Sequence, residues 1–478
     1  MMRYPDGLPI GTGWVSTSDT EPVRFPFDGS VVAHAPVGTA ELARRALDEA
    51  VAIAPEVAAL PSRTRRAVLS GVRDRLADRQ DELVELLVAE TGKPLVDCRV
   101  EVARTLVTWE AAAEEVARLH GETVPLDLLP SGDGLVGFWT RKPIGVVVGI
   151  AGFNYPLLLA SHKIAPSIAA GCPVVAKPAP ATPLATLWLV HLVREAAAEA
   201  GAPVSMVQLV TGDVEVGSTL VTDPRVGAVS FTGSAAVGHR IARDAAPRKT
   251  LLELGSNAAL VVAEDADLDA AADAVLRGGF YASGQACISV QRLLVVDSVA
   301  DEFTGKLLAR LGEVVIGDPR EETTRVSALI DERSTRRVLD WVEQAVGAGA
   351  KVLGGGGAEG GIVRPTVLAD VPEDADCWAE EIFGPVVCLR RVSDVDEAFE
   401  LVNASRYGLH ASVFSRSLNT AFRALDRLEV GGVVVNEVPG FRSDTMPYGG
   451  VKDSGIGREG PRFAVEELTV TRMAVIRP

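Results

Sequence analysis

The chain is short of the residues that build covalent or metal frameworks. Among 478 residues there are five cysteines (Cys98, Cys172, Cys287, Cys377 and Cys388), odd in number and without CxxC spacing. That argues against a disulfide scaffold and a structural zinc site, and fits a reducing cytoplasm. The six histidines (His34, His120, His162, His191, His239, His410) show no ligand spacing either, so no metal is expected. The densest apolar runs, such as IGVVVGIAG, fall far short of the ~20 residues of a membrane span. The opening MMRYPDGLPIGTGW lacks a basic stretch followed by an apolar one, so neither export nor membrane insertion is expected. Basic residues are outnumbered, 47 Lys and Arg against 64 Asp and Glu, for a net charge of -17. Such an envelope repels nucleic-acid phosphates and anionic lipid, which excludes neither an anionic substrate nor a local basic pocket.

What is present is ordinary globular material, 47% hydrophobic and 23% charged, long enough for two or three domains. Leu42, Leu47, Ala50, Val51 and Ala54 recur at helical spacing behind a plausible Thr39 cap, and helical patterns follow at 62 to 90 and 97 to 118. Then short apolar runs (GVVVGI, CPVVAK, VSMVQLV, AVSF) alternate with helical stretches, and the alternation resumes after residue 258. Near-continuous apolar strands separated by helices are strands buried on both faces, so two α/β units with parallel sheets are expected. Residues 121 to 143 look like a β-ribbon whose arms are divided by Ser-Gly-Asp-Gly, and the tail EELTVTRMAVIRP looks extended. Isolated ribbons are marginal, so both are expected to pair with another subunit. GGGAEG at 355 to 360 satisfies G-x-G-x-x-G but precedes a strand-like run, not a helix, and reads as a surface loop.

Five stretches carry chemistry. In AVSFTGSAAVGHRIARDA a buried strand breaks at Thr232-Gly233-Ser234 and opens a helix, whose free amides suit a phosphate. Asn154 in FNYP is held in a turn before Pro156 with its amide available as a donor. Taken alone it reads better as an Asn satisfying its own turn. Lys177 ends a buried strand, where ligands of open α/β sheets bind, although a snorkelling lysine gives the same pattern. Glu253 sits inside an apolar strand, where burial favours its protonation. Cys287, in YASGQACISVQR, is either a buried thiol or a nucleophile approached through small residues.

FNYP (153 to 156), KPAPATP (177 to 183), FTGS (231 to 234), LELG (252 to 255), GQAC (284 to 287), EEIFGPV (380 to 386) and PYGGVKDSGIGRE (447 to 459) together resemble the signatures of the aldehyde dehydrogenase superfamily, over essentially the whole chain. The resemblance implies an α/β fold with two doubly wound parallel-sheet domains and a β-ribbon oligomerisation arm. Residues 1–120 and 144–252 would form a Rossmann-like cofactor domain and 253–450 the catalytic domain, with 121–143 and 451–478 as arm and tail. It implies Cys287 as nucleophile, Asn154 as oxyanion donor and Glu253 as general base. Phe153, Lys177, Pro180, Gly233, Ser234, Gly255, Glu381 and Phe383 would contact the cofactor, NADP or NAD. The expected product is a carboxylic acid, formed through a thiohemiacetal and a thioester on Cys287.

Departures from the family pattern refine this. Pro180 stands where many NAD-preferring members carry Glu, which removes a carboxylate that would repel a 2'-phosphate and suggests that NADP is accepted. Ser256-Asn257 replaces the usual residues after LELG without an evident purpose. NYP, ISVQR and VPGFRSDTMPYGG resemble the lactaldehyde and non-phosphorylating glyceraldehyde-3-phosphate dehydrogenase branch, with possible likeness to phosphonoaldehyde enzymes. Arg104, Tyr155 and Arg442 match positions that bind a substrate anion there, but Ala286 replaces an arginine, so a small anionic and a small hydroxylated aldehyde both stay open. A coenzyme A-acylating or acyl-phosphate-type enzyme, or a silent ligand-binding relative, is the alternative; Glu253 argues against the first, and Cys287, Asn154 and Glu253 together argue against the second. A cytoplasmic homodimer or homotetramer is expected.

Overall fold

The computed structural model describes residues 5–478, so the first four residues of the expected cofactor domain lie outside the described residues. Two antiparallel strand pairs, Leu8–Ile10 with Gly13–Val15 and Thr20–Arg24 with Val31–Pro36, precede four helices: Ala40–Ala59, Ser62–Ala77, Gln80–Thr91 and Leu95–Glu115. Thr39 caps the first by accepting from the Leu42 N–H, while Gly92 in left-handed conformation (φ +70) stops the third. The single helical stretch expected over 62 to 90 is therefore two helices.

Two sheets follow. The first has strands in the order 455–456, 249–253, 226–232, 146–150, 174–177, 207–209, parallel except for the short edge strand Gly455–Ile456. Helices alternate with its strands, and every residue of Pro156–Ala170 is buried, as a helix covering a sheet face requires. The second sheet runs 351–354, 366–369, 386–392, 292–296, 259–262, 410–414, 432–435, again parallel except for its first strand. Alternate side chains of its strands feed separate cores: Val261 and Leu294 on one face, Leu260 and Leu293 on the other. Each such buried side chain contributes roughly 1.5 to 3 kcal/mol.

The chain crosses between the sheets immediately after Glu253, the last residue of its strand, and returns at Gly455 to the edge of the first sheet. Residues 451–478 are therefore not all tail. They supply that edge strand, then the helix Pro461–Glu467 packed on Pro156–Ala170, and only then the extended segment Thr469–Ile476.

The ribbon also differs from its expected form. Val136–Pro143 pairs antiparallel over eight positions with Thr469–Ile476 of the same chain, not chiefly with residues 121 to 130. That first arm hydrogen-bonds to it through its backbone only at Glu122–Val124. Pro125 and Pro130 lack the N–H groups a continuing ladder needs.

Candidate active site

Registers in the first sheet bring four strand ends level: Ile150 lies beside both Lys177 and Phe231, and Glu253 beside Thr232. The Asn154 loop, Lys177, the Gly233-Ser234 turn and Glu253 therefore emerge at adjacent carboxyl ends, where open α/β sheets bind ligands. The second sheet contributes from the opposite ends of its strands. Cys287 precedes Arg292–Val296, and Glu381 and Phe383 precede Val386–Val392.

The approach to Cys287 is pinned, not loose as its small residues suggest. Ala282 (φ +49) and Ser283 (φ +57) are both left-handed, a conformation that costs non-glycine residues about 1 to 3 kcal/mol each. Polar anchors hold them. Asp97 accepts the Ala282 N–H (2.9 Å), Ser283 Oγ accepts the Ser327 N–H (2.9 Å) and Gln285 Oε1 accepts the Ile330 N–H (3.0 Å). Gly284 lies so near the Gly384 carbonyl that a Cβ would approach to 2.1 Å. Asn154 Nδ2 donates to the Gln285 carbonyl at 2.8 Å, tying the two domains together beside the cysteine.

Cys287 lines a cavity of about 300 Å³. Asn154, Phe153, Tyr155, Gly233 and Ser234 line it from the first domain, and Gly255 from the crossing between the two. Glu381, Phe383, Arg104 and Arg442 complete the expected set there. Burial pushes the Cys287 thiol up to about 11, with Glu381 and Glu253 adding to the shift and the Tyr448 hydroxyl and Arg442 opposing it.

Three expected residues stand elsewhere. Pro180 lines a separate cavity of about 440 Å³ with Asp213 and Glu215. Lys177 is 6% exposed, donates to the Pro178 carbonyl at 3.3 Å, and is pulled down to about 8 by burial despite Asp213. Glu253 is buried just off the cavity wall with Oε2 unpartnered. Burial, then the neighbouring Glu459 charge, raises its carboxyl well above the usual range against Arg442 and Lys163.

The arginines belong to a buried ionic cluster. Asp444 takes a two-pronged bond from Arg104 Nε and Nη2 (2.9 and 2.8 Å) and a third contact from His162 Nε2 (3.2 Å). Burial works against the Asp444 charge, yet His162 and Arg104 hold the carboxyl well below the usual range. His162 Nδ1 in turn meets Glu459 Oε2 at 3.1 Å, and Glu459 binds Lys163 and Arg442. Tyr155 lies under the Lys93 ammonium, 3.7 Å from its ring centre.

The donor set suits a dinucleotide. The helix Ala235–Ala245 begins at Ser234 without a side-chain cap, leaving amide donors for a pyrophosphate. Gly255 leaves room for Glu381, whose Oε2 a Cβ would meet at 2.7 Å, and Glu381 Oε1 accepts the Ser256 N–H at 3.0 Å. Burial raises that carboxyl to about 7. Phe153 and Phe383 meet edge to face with centroids 5.7 Å apart, Phe383 at φ +50.

A model of the aldehyde dehydrogenase family matches residues 14–474. The chain belongs to that family. It is 38% identical to the 3-sulfolactaldehyde dehydrogenase of Priestia aryabhattai over 98% of both chains. Aldehyde dehydrogenase 21 of Physcomitrella patens, solved with the reaction product succinate, superposes with a TM-score of 0.95 at 39% identity, covering 99% of both chains. The glyceraldehyde-3-phosphate dehydrogenase of Methanocaldococcus jannaschii, complexed with NADP, gives 0.92 at 34% identity over 96% of this chain and 100% of that one. This aldehyde dehydrogenase is accordingly an oxidoreductase acting on an aldehyde group with NADP or NAD. No helix among its described residues is long and apolar enough to cross a membrane.

The structure also supplies what sequence reasoning lacked in this dehydrogenase. Ser256-Asn257 is a brace: Asn257 Nδ2 donates to the Trp378 carbonyl (2.6 Å), and the Ser256 amide holds Glu381. Asp444, His162 and Tyr448 were missed, since their partners lie 161 to 340 residues away.

Proposed function

We propose that the enzyme oxidises a small aldehyde bearing an anionic group to its carboxylic acid, with Cys287 as nucleophile, Asn154 as oxyanion donor and Glu253 as general base. The observation that carries this is the presence of Arg104 and Arg442 on the same cavity wall as Cys287. Around them the cations Arg104, Arg442 and Lys163 outnumber the carboxylates Asp444 and Glu459, whose pKa values are depressed, so the pocket favours a sulfonate, phosphonate, phosphate or carboxylate. The Arg104 pair with Asp444 uses Nε and Nη2 and leaves Nη1 outside it. The sulfolactaldehyde in one relative's name and the product succinate bound in the other support the same class.

The Cys287 thiolate adds to the carbonyl carbon, and the oxyanion of the resulting thiohemiacetal is held by Asn154 Nδ2 and the Cys287 N–H. Asn154 spends one N–H on Gln285 and has a second to give. One such donor is worth roughly 3 kcal/mol. When bound, NADP or NAD accepts the hydride. Gly233 and Ser234 would seat its pyrophosphate, Lys177 and Glu381 its riboses, and Phe153 and Phe383 its ring. Loss of hydride leaves a thioester on Cys287. Glu253 then takes a proton from water, which attacks the thioester and releases the acid and the thiolate. Glu253 reaches that water by turning about its side-chain bonds, opposite Gly449, where a Cβ would crowd Oε1 at 2.9 Å.

With no carboxylate at Pro180, NADP is used beside NAD. The protein works in the cytoplasm as a homodimer or homotetramer joined through the ribbon, whose Val136, Val475 and Ile476 side chains are about half exposed in the single chain.

Arg104→Gln is the test. Arg442→Ala is unsuited, because Arg442 is buried and stacked on the Tyr448 ring that faces Cys287, whereas Gln at position 104 keeps an amide donor for Asp444, which His162 also holds. With length-matched anionic and neutral aldehydes and both cofactors, Arg104→Gln raises KM for the anionic partner on the order of 10- to 100-fold. An equal rise for the neutral aldehyde rejects the anion pocket.

A further inference from the structure

Tyr448 is 2% exposed, and its hydroxyl lies 3.0 Å from Cys287 Sγ. Nothing about the residue is loose. The Arg442 guanidinium lies 3.6 Å over its ring centre, the His410 ring meets it edge-on at 5.2 Å, and its backbone exchanges two hydrogen bonds with Glu459. The sulfur therefore faces a fixed hydroxyl whose ring carries a cation on one side.

That arrangement answers a need of the chemistry. A cysteine reacts as the thiolate, while this cavity resists ionisation through burial and two nearby carboxyls, Glu381 and Glu253. The Tyr448 hydrogen bond and the Arg442 charge act the other way. Once Cys287 is ionised its sulfur can only accept, and the phenol, itself buried, keeps its proton.

We propose that Tyr448 is a catalytic residue, whose hydroxyl donates to the Cys287 thiolate, aims Sγ at the carbonyl, and relays the Arg442 charge through its ring. This rests on Cys287 being the nucleophile. The hydrogen bond belongs to the thiolate and weakens when sulfur bonds to carbon, so its effect falls on acylation and not on thioester hydrolysis. Tyr448 is thus a determinant of kcat/KM, acting on neutral and anionic aldehydes alike, unlike Arg104.

The experiment measures iodoacetamide alkylation of the cofactor-free enzyme against pH. The other four cysteines, Cys98, Cys172, Cys377 and Cys388, are fully buried, so the signal reports Cys287, with Cys287→Ser as the blank. Tyr448→Phe keeps the ring under Arg442 and removes the hydroxyl. Its alkylation midpoint moves up by about one pH unit, and kcat/KM below that midpoint falls about threefold, because the less stabilised thiolate is also the better nucleophile. Enzyme bearing 3-fluorotyrosine at position 448, a stronger donor, moves the midpoint down. This second form needs no loss of packing and decides the matter if Tyr448→Phe does not fold. An unchanged midpoint in either folded form overturns the proposal. If Cys287→Ser still oxidises aldehyde, the assignment of Cys287 fails and this one with it. If Cys287→Ser is inactive and the midpoints coincide, only the role of Tyr448 fails.

Discussion

Glu253 is the residue whose environment most constrains the reaction. A carboxyl 5% exposed, with one oxygen unpartnered and a second carboxylate acting on it, holds its proton far above the usual carboxylate range. A base must be free of that proton, so thioester hydrolysis speeds up as pH rises. Cys287, raised to about 11, gives acylation the same slope. Lys177 opposes both. Lowered to about 8, it loses its charge above that pH, and KM for the cofactor climbs. Glu253→Gln removes the base but neither nucleophile nor oxyanion donor. We expect a rapid first turnover of reduced cofactor to survive while the steady rate drops on the order of 10²- to 10⁴-fold. Stopped-flow absorbance separates the two phases, and loss of the first turnover contradicts the assigned role. Cys287, Asn154, Glu253 and Lys177 could be singled out in the sequence as candidates because each sits in a short motif set by its own strand end or turn. Tyr448 could not, because the sulfur it faces is 161 residues away.

Elements determine where those residues meet. The alternation of apolar strands and helices announced both parallel sheets, since burial on both faces leaves a mark in composition. The partner of Val136–Pro143 left no such mark: a ribbon strand states that it will pair, not with what. Only Pro125 and Pro130 hinted that the first arm could not complete the ladder. The cofactor preference is likewise shared among elements. Pro180 lacks a carboxylate, yet the helix Val214–Thr222 starts with Asp213 as cap and Glu215 in its first turn, and both line the cavity that Pro180 lines. A 2'-phosphate seated in that cavity would be repelled by these negative charges, with solvent screening the effect in part. Glu215→Gln, at an exposed position, therefore shifts the ratio of kcat/KM for NADP over NAD upward by about 3- to 10-fold. A ratio that stays fixed or falls means that this helix does not face the adenosine end.

At the scale of the molecule, burying carboxyls couples folding to pH. Burial raises Glu90 to about 8 even though it caps the helix Leu184–Glu199 by accepting the Leu184 and Ala185 amides, and burial together with the Glu459 charge raises Glu253 well above the usual range. Unfolded, both ionise near the ordinary value of about 4.3. From roughly pH 6.5 to 8 the folded chain thus holds protons that the unfolded chain has released, and folding loses about 1.4 kcal/mol per pH unit for each. Asp444 and Glu459, held below the usual range, contribute stability already complete above pH ~5.5, so they stay level across this window. His191 and His410, lowered by burial, act only below about pH 6.5, where their charging in the unfolded chain works in the opposite direction. The charge of -17 adds a repulsion that grows with pH and carries the same sign as the retained protons. The thermal midpoint of the cofactor-free enzyme therefore falls by a few degrees between pH 6.5 and 8, the reverse of what paired surface carboxylates give. Melting curves at constant ionic strength measure it, and a midpoint that climbs over that interval means Glu90 and Glu253 are ionised in the folded protein.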